Sequence, residues 1–322
     1  AQAIFGCRIR GGCQVDAAVL WTMNEDAAPT PPARRVLVFG WGLAAARVLH
    51  EIAEYAGKGL AVVHCVSQVT QAGDCDLRQV CDQLGFACAL FDHDDEVFAA
   101  AREFAPDLIV SASYRTKLQR QVLDLSPASV NFHPSLLPKH RGCWSGFWAI
   151  FEGDTHTGVT CHHMVEKFDC GRILHQERTD IAPDDTAFSV YKKLLPVTAA
   201  CAGRVFSLYF GGGLPAGEEQ AGPASYHFRK LPFGGLIQPE WSDSQVERFI
   251  RAMHFPPFDG AAVQVGSERI PVGSLEAYAD LRRNAAATAA VVAECTVVAA
   301  AAKAHTSPSP TPPALVVDAP IE

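Results

Sequence analysis

Three polar residues in two short segments have the side-chain types that acyl transfer requires. Asn131 and His133 stand two residues apart in the segment Asn131–Pro138, and Asp169 follows 36 residues after His133. An amide can donate a hydrogen bond to an oxyanion, an imidazole can move a proton, and a carboxylate can stabilise a charged imidazole or accept a proton itself. Together these groups could move an acyl group onto an amine.

The residues around His133 predict that two of these side chains share one edge of a sheet. The run Val130–His133 predicts a β-strand, in which residues two apart point to the same side. Pro134 ends the strand, and ligands of open α/β sheets bind beyond the carboxyl ends of the strands. We therefore expect Asn131 and His133 to face one substrate, with Ser135–Pro138 forming a wall of the site.

The surrounding chain alternates short apolar runs with amphipathic stretches, which predicts an α/β Rossmann-like domain with a mostly parallel sheet. The predicted strands are Val36–Phe39, Leu60–Val66, Phe86–Phe91, Leu108–Ala112, Val130–His133, Gly158–Val165 and Ile173–Ile181. The predicted helices are Leu43–Ala56, Asp95–Phe104, Leu118–Leu125 and one from near Asp184 to about Phe210. In the small module, Ser242 and Gln245 form a capping box that predicts a further helix through Met253. Asp169 falls in the turn between the last two strands, where Gly171 permits a tight bend.

Composition divides the chain into five segments. These are a leader and linker (1–34), the catalytic domain (35–210), a Gly/Pro-rich linker (211–225), a small C-terminal α+β module (226–283) and an Ala/Pro-rich tail (284–322) that we expect to be disordered. The run Ala285–Ala302 is not expected to span a membrane, because alanine contributes little transfer energy and Glu294 lies within it. We expect no association with a membrane.

Charge and cysteine content exclude several classes of protein. A net charge of −8 gives no general attraction to nucleic-acid phosphates. The eleven cysteines are odd in number and include no Cys-x-x-Cys pair, which argues against a disulfide framework and a zinc ribbon and favours a reducing, cytoplasmic location, with organellar import left open. We expect no metal, and we interpret the histidines near Asp169 as strand residues with ordinary hydrogen bonds: His156, His162, His163 and His175.

A glycine-rich turn follows the first predicted strand. The sequence from Gly40 to Ala45 matches the Gly-x-Gly-x-x-Gly/Ala fingerprint of dinucleotide sites in its expected position. However, the second strand ends without a carboxylate for a ribose, and the bulky Trp41 lies within the turn. We predict a strand-to-helix turn that does not bind NAD.

Three motifs resemble, in this order, those of the 10-formyltetrahydrofolate-dependent formyltransferases, over about residues 35–205. They are Asn131-x-His133-Pro-Ser-Leu-Leu-Pro138, Gly158-Val159-Thr160 and Phe168-Asp169-x-Gly171. The resemblance implies a Rossmann-like domain that uses 10-formyltetrahydrofolate as formyl donor, with no metal and no NAD. It implies Asn131, His133 and Asp169 as the catalytic trio, with the proton acceptor undecided between His133 and Asp169. It also implies a folate pocket lined by Tyr114, Arg115, Thr116, Lys117, Leu118, Ser135, Leu136, Leu137 and Pro138.

The region after the catalytic domain bears on the amine that receives the formyl group. Residues 206–322 carry eight Lys/Arg against twelve Asp/Glu, whereas a tRNA-binding module is expected to be basic. Segments 226–230, 241–242 and 251–261 are similar to those of sugar-nucleotide and tRNA formyltransferases alike. The insert Lys139–Trp144 could supply cations and a ring for a diphosphate and a base or sugar, or it could be a surface loop with a packed tryptophan.

We therefore predict formyl transfer to the amine of a nucleotide-linked amino sugar. Formylation of methionyl-tRNA is the alternative acceptor reaction. A 10-formyltetrahydrofolate hydrolase and a non-catalytic folate-binding protein are the alternatives of another class. The expected partners are folate and a sugar nucleotide, with tRNA less favoured and a homodimer left open.

Overall fold

The computed structural model of the chain describes residues 32–68, 75–91 and 94–284. Most of the predicted leader, and the predicted tail beyond residue 284 with the run Ala285–Ala302, lie outside the described residues.

The described strands and helices follow in alternation. The strands are β1 (Arg34–Gly40), β2 (Ala61–Ser67), β3 (Ala87–Leu90), β4 (Leu108–Ala112), β5 (Ser129–His133), β6 (Arg141–Gly142), β7 (His156–His163), β8 (Ile173–Asp180), β9 (Tyr226–His227), β10 (Ala262–Val265) and β11 (Glu268–Pro271). The helices are α1 (Gly42–Gly57), α2 (Leu77–Leu84), α3 (Asp94–Phe104), α4 (Arg120–Leu123), α5 (Ser145–Phe151), α6 (Ala187–Gly211) and α7 (Asp243–Met253). Residues 275–284 are also helical, and Pro232–Gly235 form a short 3₁₀ turn.

A seven-stranded sheet in the order β3-β2-β1-β4-β5-β7-β8 forms the centre of the fold. The first five of these strands are parallel, whereas β7 and β8 are antiparallel to their neighbours. The chain reverses its direction of winding between β1 and β4. The cavity of the structure lies close to this point, beyond the carboxyl ends of β4 and β5. The predicted Rossmann-like, mostly parallel α/β fold is confirmed.

The predicted elements are found with small differences at their ends, but α2 and α5 are not among the predicted helices. Helix α2 carries the signals of a helix, because the Asp76 side chain accepts a hydrogen bond from the Arg78 amide (2.9 Å) and Gly85 ends the helix in the left-handed conformation. The helix predicted over Leu118–Leu125 is reduced to the single turn of α4.

The glycine turn after β1 brings α1 against the sheet. A Cβ on Gly40 would lie 2.5 Å from the Ala45 Cβ, so only glycine permits this close approach. The Trp41 amide donates to the Ala112 carbonyl (3.2 Å), and the Arg115 guanidinium lies 4.9 Å from the centre of the Trp41 ring. The turn therefore helps to hold the segment that follows β4.

The predicted linker 211–225 lies against the catalytic domain. Ile173 of β8 and Glu218 exchange backbone hydrogen bonds of 2.7 and 2.8 Å, and β9 then pairs in parallel with β6. The Gly and Pro content and the absence of an apolar period predicted a linker, and in the structure backbone and side-chain hydrogen bonds hold this linker in place.

The C-terminal module shares one hydrophobic core with the catalytic domain. Helix α7 packs against α5 and α6, and Phe249 of α7 contacts the rings of Phe147 and Phe151. The predicted boundary near residue 226 therefore does not separate two cores.

Helix α6 is long and apolar enough by composition to cross a membrane, but 44% of its most apolar stretch is buried inside the protein. Its residues Cys201, Val205 and Phe206 are fully buried, and the helix contacts α1, β7 and β8. These contacts are those of a core helix.

Candidate active site

The three residues of the predicted trio meet at the carboxyl end of β5. The Asn131 Nδ2 lies 3.3 Å from the Asp169 Oδ1, and the His133 Nδ1 lies 3.5 Å from the Asp169 Oδ2. His133 and Asp169 are buried, and Asn131 is partly buried. Side chains that are 36 residues apart in the sequence thus form one polar cluster.

A fourth polar residue, His162, completes this cluster. It is the register partner of Asn131 on the neighbouring strand β7, and its Nε2 lies 3.2 Å from the Asn131 Nδ2 and 3.4 Å from the Asp169 Oδ1. Its Nδ1 must carry a proton, because the nearby atom is the His163 carbonyl oxygen (2.8 Å), which can only accept. The sequence interpretation of His162 as an ordinary strand residue missed this place in the site.

Asp169 is held in position by the turn that contains it. The residue has a positive φ of 52°, an uncommon conformation outside glycine. Gly171 serves close packing rather than the bend itself, since a Cβ there would lie 1.8 Å from the His163 carbonyl oxygen. Gln220 donates from Nε2 to the carbonyl oxygens of Asp169 and Gly171, both at 2.8 Å.

The surroundings of Asp169 keep its carboxylate ionised. Burial alone would raise the pKa of Asp169, but His133, His162 and the Gly142 amide, which donates to Oδ2 at 2.7 Å, lower this pKa to about 2. A buried carboxylate needs such stabilising neighbours, because an unpaired buried charge is strongly unfavourable.

His133 is oriented by a backbone carbonyl. Its Nε2 lies 2.8 Å from the His140 carbonyl oxygen, so Nε2 carries a proton and Nδ1 faces Asp169. Burial lowers the pKa of His133, and the Asp169 carboxylate opposes this shift. A neutral imidazole with its Nδ1 lone pair turned toward an anionic carboxylate is ready to take up a proton.

A cavity of about 300 Å³ opens in front of the cluster, near the lower end of the range for small-molecule sites. All five residues predicted in the loop after β4 line it: Tyr114, Arg115, Thr116, Lys117 and Leu118. Gln68 Nε2 at the end of β2 donates to the Thr116 Oγ1 (2.7 Å), which fixes the loop. The cavity wall also includes Asn131, His133, His162 and Asp169.

The predicted folate residues Ser135, Leu136, Leu137 and Pro138 lie behind His133 and do not line this cavity. The Ser135 Oγ donates to the Lys139 carbonyl (2.7 Å), and Thr160 of β7 donates to the Ser135 carbonyl (2.6 Å). Ser135 and Leu137 are buried. In this structure these four residues hold the strand end against β7 and β8, while Pro134 contributes to the cavity wall.

The contacts of the insert Lys139–Trp144 bear on the two interpretations that the sequence left open. Lys139 pairs with Asp154 (2.7 Å) and Arg141 donates to Gln220 (2.6 Å), so internal partners engage both cations. Trp144 lines the cavity with 44% of its surface exposed, and its Nε1 donates to the Arg229 carbonyl (3.1 Å). Around the cavity, positive charge comes instead from Arg115 and Lys117.

Comparison with known proteins points to one family. Residues 34–202 match the family model described as formyl transferase. The chain is 37% identical over 258 residues to the GDP-perosamine N-formyltransferase of Brucella melitensis biotype 1, which covers 79% of this chain and 97% of that protein, and it is equally similar to the Brucella abortus protein of the same name.

Solved structures share the fold at low identity. A sugar N-formyltransferase from Shewanella sp. FDAARGOS_354 superposes with a TM-score of 0.62 at 17% identity, over 74% of this chain and 96% of that one. An N-formyltransferase from Helicobacter canadensis, in complex with folinic acid and dTDP-3-aminofucose, gives 0.61 at 17% identity, over 71% and 84%. The chain therefore belongs to the formyl transferase family, a family of enzymes.

Proposed function

We propose that this enzyme transfers the formyl group of 10-formyltetrahydrofolate to the primary amine of a nucleotide-linked amino sugar. The observation that carries the proposal is the meeting of Asn131, His133 and Asp169 on one wall of a cavity that can hold a small molecule. Further support comes from the similarity to GDP-perosamine N-formyltransferases over 97% of their length.

The donor would bind along the loop Tyr114–Leu118. This loop lines the cavity and carries Arg115 and Lys117, whose charges suit the carboxylates of a folate. The Lys117 Nζ lies 5.5 Å from the centre of the Phe168 ring, which also lines the cavity, so this cation is held beside an aromatic surface that could contact the folate ring system. The formyl carbon would then face the trio.

In the proposed reaction, the amine attacks the formyl carbon and loses a proton to the His133 Nδ1. This assignment follows from the orientation of the ring, since the Nε2 proton is engaged by the His140 carbonyl. Asp169, 3.5 Å away, stabilises the imidazolium that forms. The proton can then pass from Nδ1 to the departing folate nitrogen, which restores the neutral imidazole.

Asn131 would donate to the oxygen that becomes negatively charged. Its Nδ2 carries two hydrogens, which in this structure face Asp169 Oδ1 and His162 Nε2. A bound formyl oxygen would take one of these hydrogens, and His162 would keep its place through the His163 carbonyl. Removal of one such donor typically lowers the rate about 10²–10³-fold.

The acidic balance of residues 206–322 favours a sugar nucleotide over tRNA as acceptor. The most direct test uses the purified full chain with 10-formyltetrahydrofolate and separate acceptors: GDP- and dTDP-linked amino sugars, and methionyl-tRNA. The mass gain of one formyl group identifies the acceptor, and formate release without an amine reports hydrolysis.

We expect formyl transfer to at least one amino-sugar nucleotide, abolished or reduced about 10²–10⁴-fold by His133→Ala. The matched control is His175→Ala, because His175 pairs with Glu177 on β8 and does not line the cavity. Formyl transfer to methionyl-tRNA alone would refute the proposal that the acceptor is a sugar nucleotide. Formate release that is unchanged by any added amine would refute transferase activity and indicate a hydrolase.

A further inference from the structure

A second group of buried polar side chains lies behind the trio, where β6 meets β9. His140 is 2% exposed and has a positive φ of 56°, and its carbonyl oxygen accepts the His133 Nε2 proton. Its backbone amide donates to the Ser225 Oγ (2.8 Å) in the segment before β9. His140 thus joins the loop that orients His133 to the C-terminal segment.

The His140 ring can be assigned from its neighbours. Its Nε2 lies 2.9 Å from the Asp154 Oδ2, and Asp154 also forms an ion pair with Lys139. The carboxylate accepts, so His140 Nε2 carries the proton and Nδ1 presents a lone pair. A histidine that donates one ring N–H to a carboxylate while the other nitrogen is free is the usual arrangement of a histidine metal ligand.

Two further potential metal ligands, an imidazole and a carboxylate, lie near the His140 Nδ1 lone pair. The His227 Nε2 lies 3.2 Å from it, and the Glu152 Oε1 lies 4.0 Å from the His227 Nε2. The three ligand atoms lie within 4.8 Å of one another. Two nitrogens bound to one zinc ion in tetrahedral geometry stand about 3.3 Å apart, given Zn–N bonds of about 2.0–2.1 Å. The histidine pair has this spacing already, and Glu152, whose side chain is 41% exposed, needs only a small movement.

We propose that His140 Nδ1, His227 Nε2 and Glu152 bind one divalent transition-metal ion, with Zn²⁺ as the best fit to two imidazoles and a carboxylate. Asp154 orients His140 as an outer partner, and water fills the remaining position on the exposed side. The ion ties β9 and the end of α5 to the loop that carries the His140 carbonyl. It does not contact the reacting atoms.

Two alternatives make the test specific. Without a metal, the two histidines share a single N–H···N hydrogen bond at the same 3.2 Å. Within the described residues, a different metal-ligand cluster consists of the thiols of Cys65, Cys81 and Cys88, on β2, α2 and β3. Sulfur ligands give Co²⁺ an intense near-ultraviolet charge-transfer band, whereas nitrogen and oxygen ligands give only weak visible bands.

The experiment titrates the full-length, metal-free protein with Zn²⁺ alone and with Co²⁺ alone, and measures bound metal after dialysis. We expect one tightly bound ion, Co²⁺ bands without sulfur charge transfer, and a change in fluorescence, because the Trp148 ring stacks on His227 at 4.1 Å. Binding should be lost in His227→Ala and Glu152→Gln, and weakened about 10–100-fold in Asp154→Asn.

The controls are His175→Ala, which alters a histidine–carboxylate pair elsewhere, and Cys81→Ser, which alters the thiol cluster. Both should bind the ion as the native chain does. The proposal would be overturned if Glu152→Gln bound as much metal as the native chain. It would also be overturned if the native protein showed a sulfur charge-transfer band and Cys81→Ser lost metal binding. Glu152→Gln lies at a half-exposed position, so its result does not depend on a change in folding.

Discussion

Asp169→Asn removes one charge from the site while keeping the shape of the side chain. The amide oxygen of asparagine can still accept the Gly142 N–H, so the turn keeps its main anchor. What disappears is the attraction between the carboxylate and the imidazolium formed when His133 takes up the amine proton. For unit charges 3.5 Å apart this attraction is about 5 kcal/mol at an effective dielectric constant of about 20.

Since about 1.4 kcal/mol corresponds to a tenfold change in rate, we expect kcat to fall about 10³–10⁴-fold in Asp169→Asn. The assay is formyl transfer at saturating donor and acceptor, measured across the pH range in which both proteins stay folded. The native kcat/KM should fall as pH decreases through the pKa of His133, which burial places below its usual 6.5. Without the carboxylate that pKa decreases further, so the acid limb of the variant should move to lower pH.

Asp124→Asn is the matched control, because Asp124 pairs with Arg120 at the surface and should leave the rate unchanged. A variant Asp169→Asn that retains native kcat within a few-fold, with thermal unfolding unchanged, would refute the electrostatic role. An acid limb that moves to higher pH would refute the assignment of His133 as the base.

Three further predictions follow from the same contacts. The pKa of Asp169 is lowered from 3.8 to about 2 on folding, so its ionisation contributes about 2 kcal/mol of stability above pH 4. Chemical denaturation should show this contribution lost as pH falls from about 4 through 2, and absent in Asp169→Asn; equal acid sensitivity of the two proteins would contradict it. Asn131→Ala should lower kcat about 10²–10³-fold with little change in KM, and a rise in KM alone would indicate binding instead. Gln220→Ala removes the side chain that donates to two carbonyls of the Asp169 turn and accepts from Arg141, so we expect a lower kcat at similar KM. The exposed Gln264→Ala is the control, and a native rate in Gln220→Ala would show that the turn keeps its position without these hydrogen bonds.

The sequence was sufficient for the fold and for the shared position of Asn131 and His133, because both depend on local patterns. Asn131 and His133 share one strand, and the Pro134 that follows ends it, which together place two side chains at a known edge of an α/β sheet. The position of Asp169 at the same edge was predicted from the resemblance of three separated motifs to those of formyltransferases. The homodimer, the cytoplasmic location and the absence of NAD stay predictions.

The remaining parts of the site depend on pairing that no local pattern encodes. His162 resembles its neighbour His163 in the sequence, and only the register of β7 against β5, in which His162 faces Asn131, distinguishes the two. Ser135–Pro138 follow a proline turn, where side-chain direction has no period, and they point away from the cavity. Polar contacts such as those of Gln220, rather than an apolar face, fix the segment 211–225 in place. Its sequence therefore shows no apolar period from which this packing could be predicted.

The geometry explains why a buried carboxylate and a neutral imidazole can stand side by side. The Asp169 carboxylate accepts hydrogen bonds from Asn131 on β5 and Gly142 on β6, and it faces a ring nitrogen of His162 on β7. Gln220 holds the backbone of the Asp169 turn, although Gln220 lies beyond the region matched by the family model. The Asn131 amide and the Gly142 N–H donate to the anion before any substrate binds, while burial lowers the pKa of His133 and favours its uncharged form. In the proposed reaction, the attraction between the two is therefore small before substrate binds and becomes large only when the amine proton reaches Nδ1, which is the condition for stabilising a transition state more than the ground state. The segment that contains Gln220 thus supports the turn on which this proposed electrostatic arrangement depends.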